Sequence, residues 1–237
     1  MKFFHHTGKV FAAGLFAALT VTMPAGAAVI TDGFTFAVAS GSDTSVGTHF
    51  HSSTGGEFGN PAGKAEVGRF SSEEVRGLSE YDLTGLASAA SAFVTFEVFS
   101  AGGLFSGVND FPFDGTIQIE AYAGNNLEDI PDYQAASLGI VGTFSTVGLI
   151  VGNTLSFDIT SIFNDAITNS LTSLGIRLRA NPLNDAGAWV FDTFRLTTDD
   201  LTTRVPEPSV LLLFVAGLAG LGMSSARRRR RRLPNAA

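Results

Sequence analysis

The side chains able to do chemistry in this 237-residue chain are mostly carboxylates. There is no cysteine, which removes thiol nucleophiles and disulfides together. No Gly-x-Ser-x-Gly elbow lifts a serine out of a strand-to-helix turn. Beyond His5 and His6, histidine occurs only at His49 and His51. Alternation along a strand would put both imidazoles on one face, as a metal-binding pair requires. The acid closest behind them is Glu57, and no third ligand is evident nearby, so the plain alternative is an exposed loop. Glycosidases need two carboxylates across a cleft. Glu73, Glu74, Asp110, Asp114, Glu128, Asp129 and Asp132 are of the right type, with solvated surface as the default reading. Gly59–Lys64 imitates a phosphate loop, but Phe58 stands where its first glycine is required and Ala65 where Ser or Thr is needed. No catalytic set is legible.

Three segments place an aromatic residue before an aspartate: Tyr81-Asp82, Phe157-Asp158 and Phe191-Asp192. Each reads as a strand end closed by an Asx-type turn, the carboxylate accepting backbone N–H groups. The sharper alternative is that some of Asp82, Asp158 and Asp192 contribute to a structural Ca²⁺ site, because Ca²⁺ takes several clustered oxygens. Sugar rings stack on aromatic faces. The candidates for such a ligand contact are Tyr133, in a loop expected to be exposed, and Trp189, the single tryptophan, in a strand expected to pack in the core.

The elements that must position these residues read as β. Period-two alternation predicts strands at Ala92–Ser100, Thr116–Tyr122 and Leu174–Arg179, with further strands near Ile30–Ala39, Glu66–Phe70, Val75–Leu83, Leu155–Ile159 and Ala188–Thr197. One short helix is expected at Ser161–Asn169, capped by Thr160 or Ser161. Gly41–Gly63 reads as a long loop. Many short strands with decorated loops imply an all-β domain, an antiparallel β-sandwich of jelly-roll type.

Both ends differ from this middle. Met1–Lys9 carries Lys2 and Lys9, Val10–Met23 is apolar, and Ala25-Gly26-Ala27 offers small residues for cleavage. This is a signal helix, cut after Ala27 or Ala28, and His5 and His6 leave with it. At the other end Ser209–Ala226 is free of charge. As a helix it would span about 27 Å, enough to cross a hydrocarbon core of about 30 Å. Pro206 and Pro208 mark its start, and the Arg227–Arg232 run would stay cytoplasmic. The chain divides into a signal peptide at 1–27, a domain at 28–204 and a tail at 205–232. Ala28 to Val205 holds 21 acidic residues against 7 basic ones, a net charge of −14. Such a surface repels nucleic acid and attracts divalent cations.

Pro206-Glu207-Pro208, the apolar segment and Arg227, Arg228, Arg229, Arg230, Arg231 and Arg232 stand in an order that resembles the bacterial PEP-CTERM sorting signal, a tail also labelled an ice-binding protein C-terminal domain. The resemblance implies recognition by an exosortase, a transient stay in the inner membrane, and cleavage near the tripeptide. Release to the cell surface or extracellular matrix would follow. A second resemblance covers the middle. Arg76-Gly-Leu-Ser-Glu-Tyr-Asp-Leu-Thr-Gly-Leu86, Phe157-Asp-Ile-Thr160, Leu174-Gly-Ile-Arg-Leu-Arg179 and Ala188-Trp-Val-Phe-Asp192 resemble secreted DNRLRE-type β-sandwich domains. The run that gives those domains their name is missing before Arg76. The resemblance implies association with polysaccharide. The expectation is an exported, exosortase-processed envelope or matrix protein, a non-catalytic module on exopolysaccharide. The alternatives are a polysaccharide-cleaving enzyme using an acidic pair, or a structural protein anchored by its C-terminal helix. The cofactor expectation is limited to structural Ca²⁺.

Overall fold

The computed structural model describes residues 28–42, 44–56 and 60–199. The signal segment, Glu57, the motif Pro206, Glu207 and Pro208, the apolar segment and the arginine run lie outside the described residues. Among those described, no helix is long and apolar enough to cross a membrane.

Among the described residues, eleven strands and one α-helix make an all-β fold in which every strand pair is antiparallel. The strands are β1 (Ala28–Asp32), β2 (Phe34–Ser40), β3 (Gly47–Ser52), β4 (Ala65–Phe70), β5 (Glu73–Asp82) and β6 (Ala92–Ser100). They continue as β7 (Thr116–Gly124), β8 (Ser137–Ser145), β9 (Thr154–Asp158), β10 (Ser173–Ala180) and β11 (Ala188–Asp199), with α1 at Thr160–Thr168 before β10. One layer runs β3–β2–β5–β10–β7–β8. The other runs β9–β6–β11, with β4 and β1 sharing the far edge of β11. β5 joins the layers, because its first residues pair with β4 and the rest with β2 and β10. The ladder therefore bends over on itself and is nearly closed. At the remaining seam the Phe144 and Phe157 rings lie 5.8 Å apart, one from β8 and the other from β9.

The inward faces follow the alternation in the sequence. Ile117, Ile119, Ala121, Leu174, Ile176 and Leu178 meet Val94, Phe96, Val98, Phe191 and Leu196 in one core. Burying side chains of this size is worth roughly 1.5–3 kcal/mol each, and with no disulfide available it is the main term holding the layers together. Phe96 is the hub, with ring centroids 4.8 Å from Phe194, 5.5 Å from Phe191 and 5.8 Å from Phe157. β11 reaches it twice because its ladder slips between Asp192 and Arg195, where Thr193 takes φ 53°. That bulge turns Phe191 and Phe194 inward and leaves Asp192 outside.

Four expectations need correction. The Gly41–Gly63 stretch is not one long loop, since β3 forms within it on the edge of β2. Its weak alternation reflects an edge strand that mixes buried and open residues on both faces. The predicted Ile30–Ala39 strand breaks in two at Gly33, where the chain passes from β11 to β5. A Cβ at Gly33 would collide with Ser79 and Tyr81. Neither Thr160 nor Ser161 caps α1. Ile159 occupies that position, and the Asp158 carboxylate accepts the Thr160 N–H at 2.8 Å. Arg177 alternates to the outer face as expected but is buried there.

Replacing Phe96 by Ala should cost about 3–5 kcal/mol, the range for deleting a core aromatic. Phe93→Ala, on the outer side of the same strand, should cost no more than about 1 kcal/mol. Urea unfolding followed by Trp189 emission checks both. Equal losses would sink the assignment of the inner face.

Candidate functional site

The outer face of the β5–β10–β7 layer is covered by a segment carrying the 3-10 turn Ile130–Gln134. Beneath it lies a buried charged layer. Arg177 donates to the carbonyls of Asp132, Tyr133 and Ala135 at 3.0, 3.0 and 2.9 Å, and to Glu120 Oε2 at 2.5 Å. Arg76 donates twice to Glu74, at 2.8 and 3.0 Å, and once to the Tyr133 carbonyl at 2.7 Å. Burial raises the Glu120 carboxyl, but Arg177 and Arg179 outweigh it and hold the group below its ordinary value. Glu80 accepts from the Asn125 and Asn126 N–H groups and from Ser173 Oγ through one oxygen. Two arginines from the sheet thus clamp the covering segment by its carbonyls.

Tyr133 sits inside this layer and not on an exposed loop. It is fully buried, with Arg76 3.9 Å over its ring and its hydroxyl between the Thr44 carbonyl and Glu74. Trp189 is packed in the core, and its indole N–H donates to the Phe113 carbonyl at 2.9 Å. Asp82 and Asp158 end β5 and β9 as Asx turns, accepting the Thr84 and Thr160 N–H groups at 2.8 Å; the Thr84 and Thr160 hydroxyls first, and these N–H groups second, hold both carboxyls below their ordinary value. Asp192 lies at the β11 bulge and pairs with Lys64 at 2.6 Å. The fold does not bring Asp82, Asp158 and Asp192 together. They sit on three strands, and each has a partner of its own.

Three of the acids considered for catalysis are also occupied, whereas one carboxylate oxygen of Asp132 is buried without a partner. Glu74 is held by Arg76, Glu128 accepts the Thr54 N–H and hydroxyl, and Asn125 donates to Asp129 at 2.9 Å. A surface groove of about 470 Å³ contains Asp32 and Asp192. Arg195 and Lys64 neutralise those two, at 3.1 and 2.6 Å. A carboxylate held by a cation is a poor general acid.

The histidines form a different constellation. Ala39 of β2 registers with His49 on one side and Val75 of β5 on the other. His49 and the start of β5 therefore flank the end of β2, and Glu73 comes within 3.5 Å of His49 Nε2. His51 lies on the same face of β3, its ring centroid 5.5 Å from that of His49. One ligand atom from each of His49, His51 and Glu73 lies within 4.8 Å of the others. No other such group of three occurs among the described residues. Behind them Glu66 is wholly buried and meets His51 Nδ1 at 3.1 Å, while Asn109 Nδ2 donates to its other oxygen. Gly103 makes room for that contact, since a Cβ there would collide with Glu66 and Asn109. Phe70 and Phe105 stand against the His51 ring, both at 4.7 Å. The His-x-His spacing marks two members of this cluster in the sequence. Glu73, Glu66 and Asn109 carry no such mark, because strand pairing and a loop deliver them.

No protein-family model matches this chain, and no curated protein does.

Burial, with the Glu80 and Asp129 carboxylates nearby, pushes Asp132 up to about 7 from an ordinary 3.8. An acid raised in the folded state holds a proton that the unfolded chain has lost. Its contribution is therefore most favourable below about 3.8 and declines until about 7. Asp132→Asn should abolish that decline. The stability difference between variant and wild type should grow in the variant's favour as pH rises across this window. Parallel pH profiles in urea unfolding would show that Asp132 carries no such penalty.

Proposed function

We propose that this chain is an exported, exosortase-processed protein of the cell envelope or extracellular matrix, of the PEP-CTERM sorting type. Its domain acts there as a non-catalytic module associated with exopolysaccharide. The observation that carries the reading is the order of the tail: Pro206-Glu207-Pro208, a charge-free stretch at Ser209–Ala226, then six arginines. Each part has a physical task. The prolines delimit a helix, the charge-free stretch is long enough to cross the inner membrane, and the arginines hold its end on the cytoplasmic side. The signal segment at 1–27 supplies the matching entry to the export route. An all-β, cysteine-free domain between them suits an extracellular setting without oxidative folding. We take that domain as a jelly-roll-type relative of the DNRLRE sandwiches. The ion-paired acids of the surface groove favour binding over hydrolysis. Fold alone assigns no ligand, so the polysaccharide rests on the resemblance and on the export address.

Intact mass and terminal peptide mapping of protein recovered from its host test the address. The expected chain starts near Ala28 and ends near Pro208, and replacing Pro206 and Glu207 by Ala should leave the tail attached. Native protein that still carries Arg227–Arg232 would instead indicate a membrane-anchored structural protein. For the module itself, retention on the host's own polysaccharide without loss of polymer viscosity is expected. A fall in viscosity would favour the enzyme.

A further inference from the structure

The His49–His51–Glu73 cluster has the parts of a metal site and an arrangement that a core histidine does not need. We propose that it binds one divalent transition-metal ion of the zinc class. His49 Nε2, His51 Nε2 and a Glu73 oxygen would be the protein ligands, leaving a fourth position for water. The inference is independent of export and of any polysaccharide.

Ligand type points to the metal. Two imidazoles and one carboxylate form a borderline nitrogen and oxygen set, which suits Zn²⁺ and its neighbours better than Ca²⁺ or Mg²⁺. Geometry is close to what binding needs. Ligand atoms around a tetrahedral zinc at about 2.0–2.1 Å stand roughly 3.3 Å apart. His49 Nε2 and Glu73 Oε2 are already at 3.5 Å, and the widest separation in the cluster is no more than 4.8 Å. A shift of about 1 to 1.5 Å by the His49 side chain, which is 45 % exposed, closes the difference.

The surroundings strengthen the assignment. A metal-binding histidine characteristically gives its other ring nitrogen to a carboxylate, which fixes the tautomer and raises basicity. His51 does this with Glu66, and Asn109 holds Glu66 in turn. With Nδ1 engaged, Nε2 is the nitrogen of His51 left for a metal. His49 is oriented in the same way, its Nδ1 lying 2.9 Å from Thr48 Oγ1 while Nε2 faces Glu73. Phe70 and Phe105 form an apolar wall against His51. The net charge of −14 across the domain raises the local concentration of cations. An ion there would tie β3 to the start of β5.

The test is equilibrium dialysis of the metal-stripped full chain against Zn²⁺, with Co²⁺ as a spectroscopic stand-in and Ca²⁺ as a competitor. One Zn²⁺ per chain is expected, undisturbed by excess Ca²⁺. His49→Ala and Glu73→Gln should each weaken binding by at least about 100-fold, and Glu66→Gln by roughly 10–100-fold. His49 and Glu73 lie at the surface, and Trp189 emission verifies that their variants are folded. His5→Ala with His6→Ala should leave affinity unchanged. The proposal is overturned if wild type takes up no Zn²⁺, or if uptake survives both His49→Ala and Glu73→Gln. It is equally overturned if uptake disappears with His5 and His6, or if Ca²⁺ displaces Zn²⁺.

Discussion

A guanidinium taken out of water must have its N–H groups answered, because the charge cannot be shed by losing a proton. Arg76 and Arg177 impose that condition on the outer face of the larger layer. Both are buried; Arg76 meets it in full, with Glu74 and the Tyr133 carbonyl, and Arg177 meets it at both terminal nitrogens, with Glu120 and three carbonyls of the segment around Ile130–Gln134, while its Nε is left without a partner. The segment is held down by its backbone carbonyls as well as by its buried side chains. Tyr133 then fills the space over Arg76, and Gln134 accepts the Gly47 N–H at 3.0 Å, which fastens β3 to the same cover. Removing either cation would leave Glu74 or Glu120 without its close ion partner, the costly direction for a buried ion pair, although Tyr133 still donates to Glu74 and Gln118 to Glu120. The histidine cluster sits on that fastened strand, so its geometry depends on this clamp from one side.

From the other side it depends on the core. With no covalent link between the layers, their spacing is set by interdigitated side chains, above all the aromatic group around Phe96. β5 carries both constraints. Tyr81 belongs to the core between the layers, Arg76 and Glu74 belong to the buried charged layer, and Glu73 at its start faces His49. A strand crossing from one layer to the other can serve three environments because successive side chains alternate faces and its two ends have different neighbours.

Much of this was legible in the sequence. β6 stands at Ala92–Ser100 as its alternation predicts, and β7 and β10 extend the predicted spans by one or two residues, because period two is a direct consequence of one face meeting a core. Tyr81-Asp82 and Phe157-Asp158 read correctly as strand ends with Asx turns. The same pattern at Phe191-Asp192 misled, since a bulge produces the same local order as a strand end. β3 and β8 escaped notice as edge strands: β3 mixes buried and open residues on each face, and β8 is largely open to water. Neither condition leaves a clean alternation.

The sequence by itself determined the all-β class, the inward-facing residues of the central strands and the absence of cross-links, because these follow from local periodicity and from which residue types are present. It also carried the export and sorting expectation, which is written as linear order at the two ends. Only the tertiary structure decided which charged residues are buried. Arg177 and Tyr133 look like surface residues until a distant segment is folded over them. Only the tertiary structure, likewise, put Glu73, Glu66 and Asn109 around His49 and His51. Hydrogen-bond register across β2 and the path of a loop bring those groups together, and neither has a local signature in the chain.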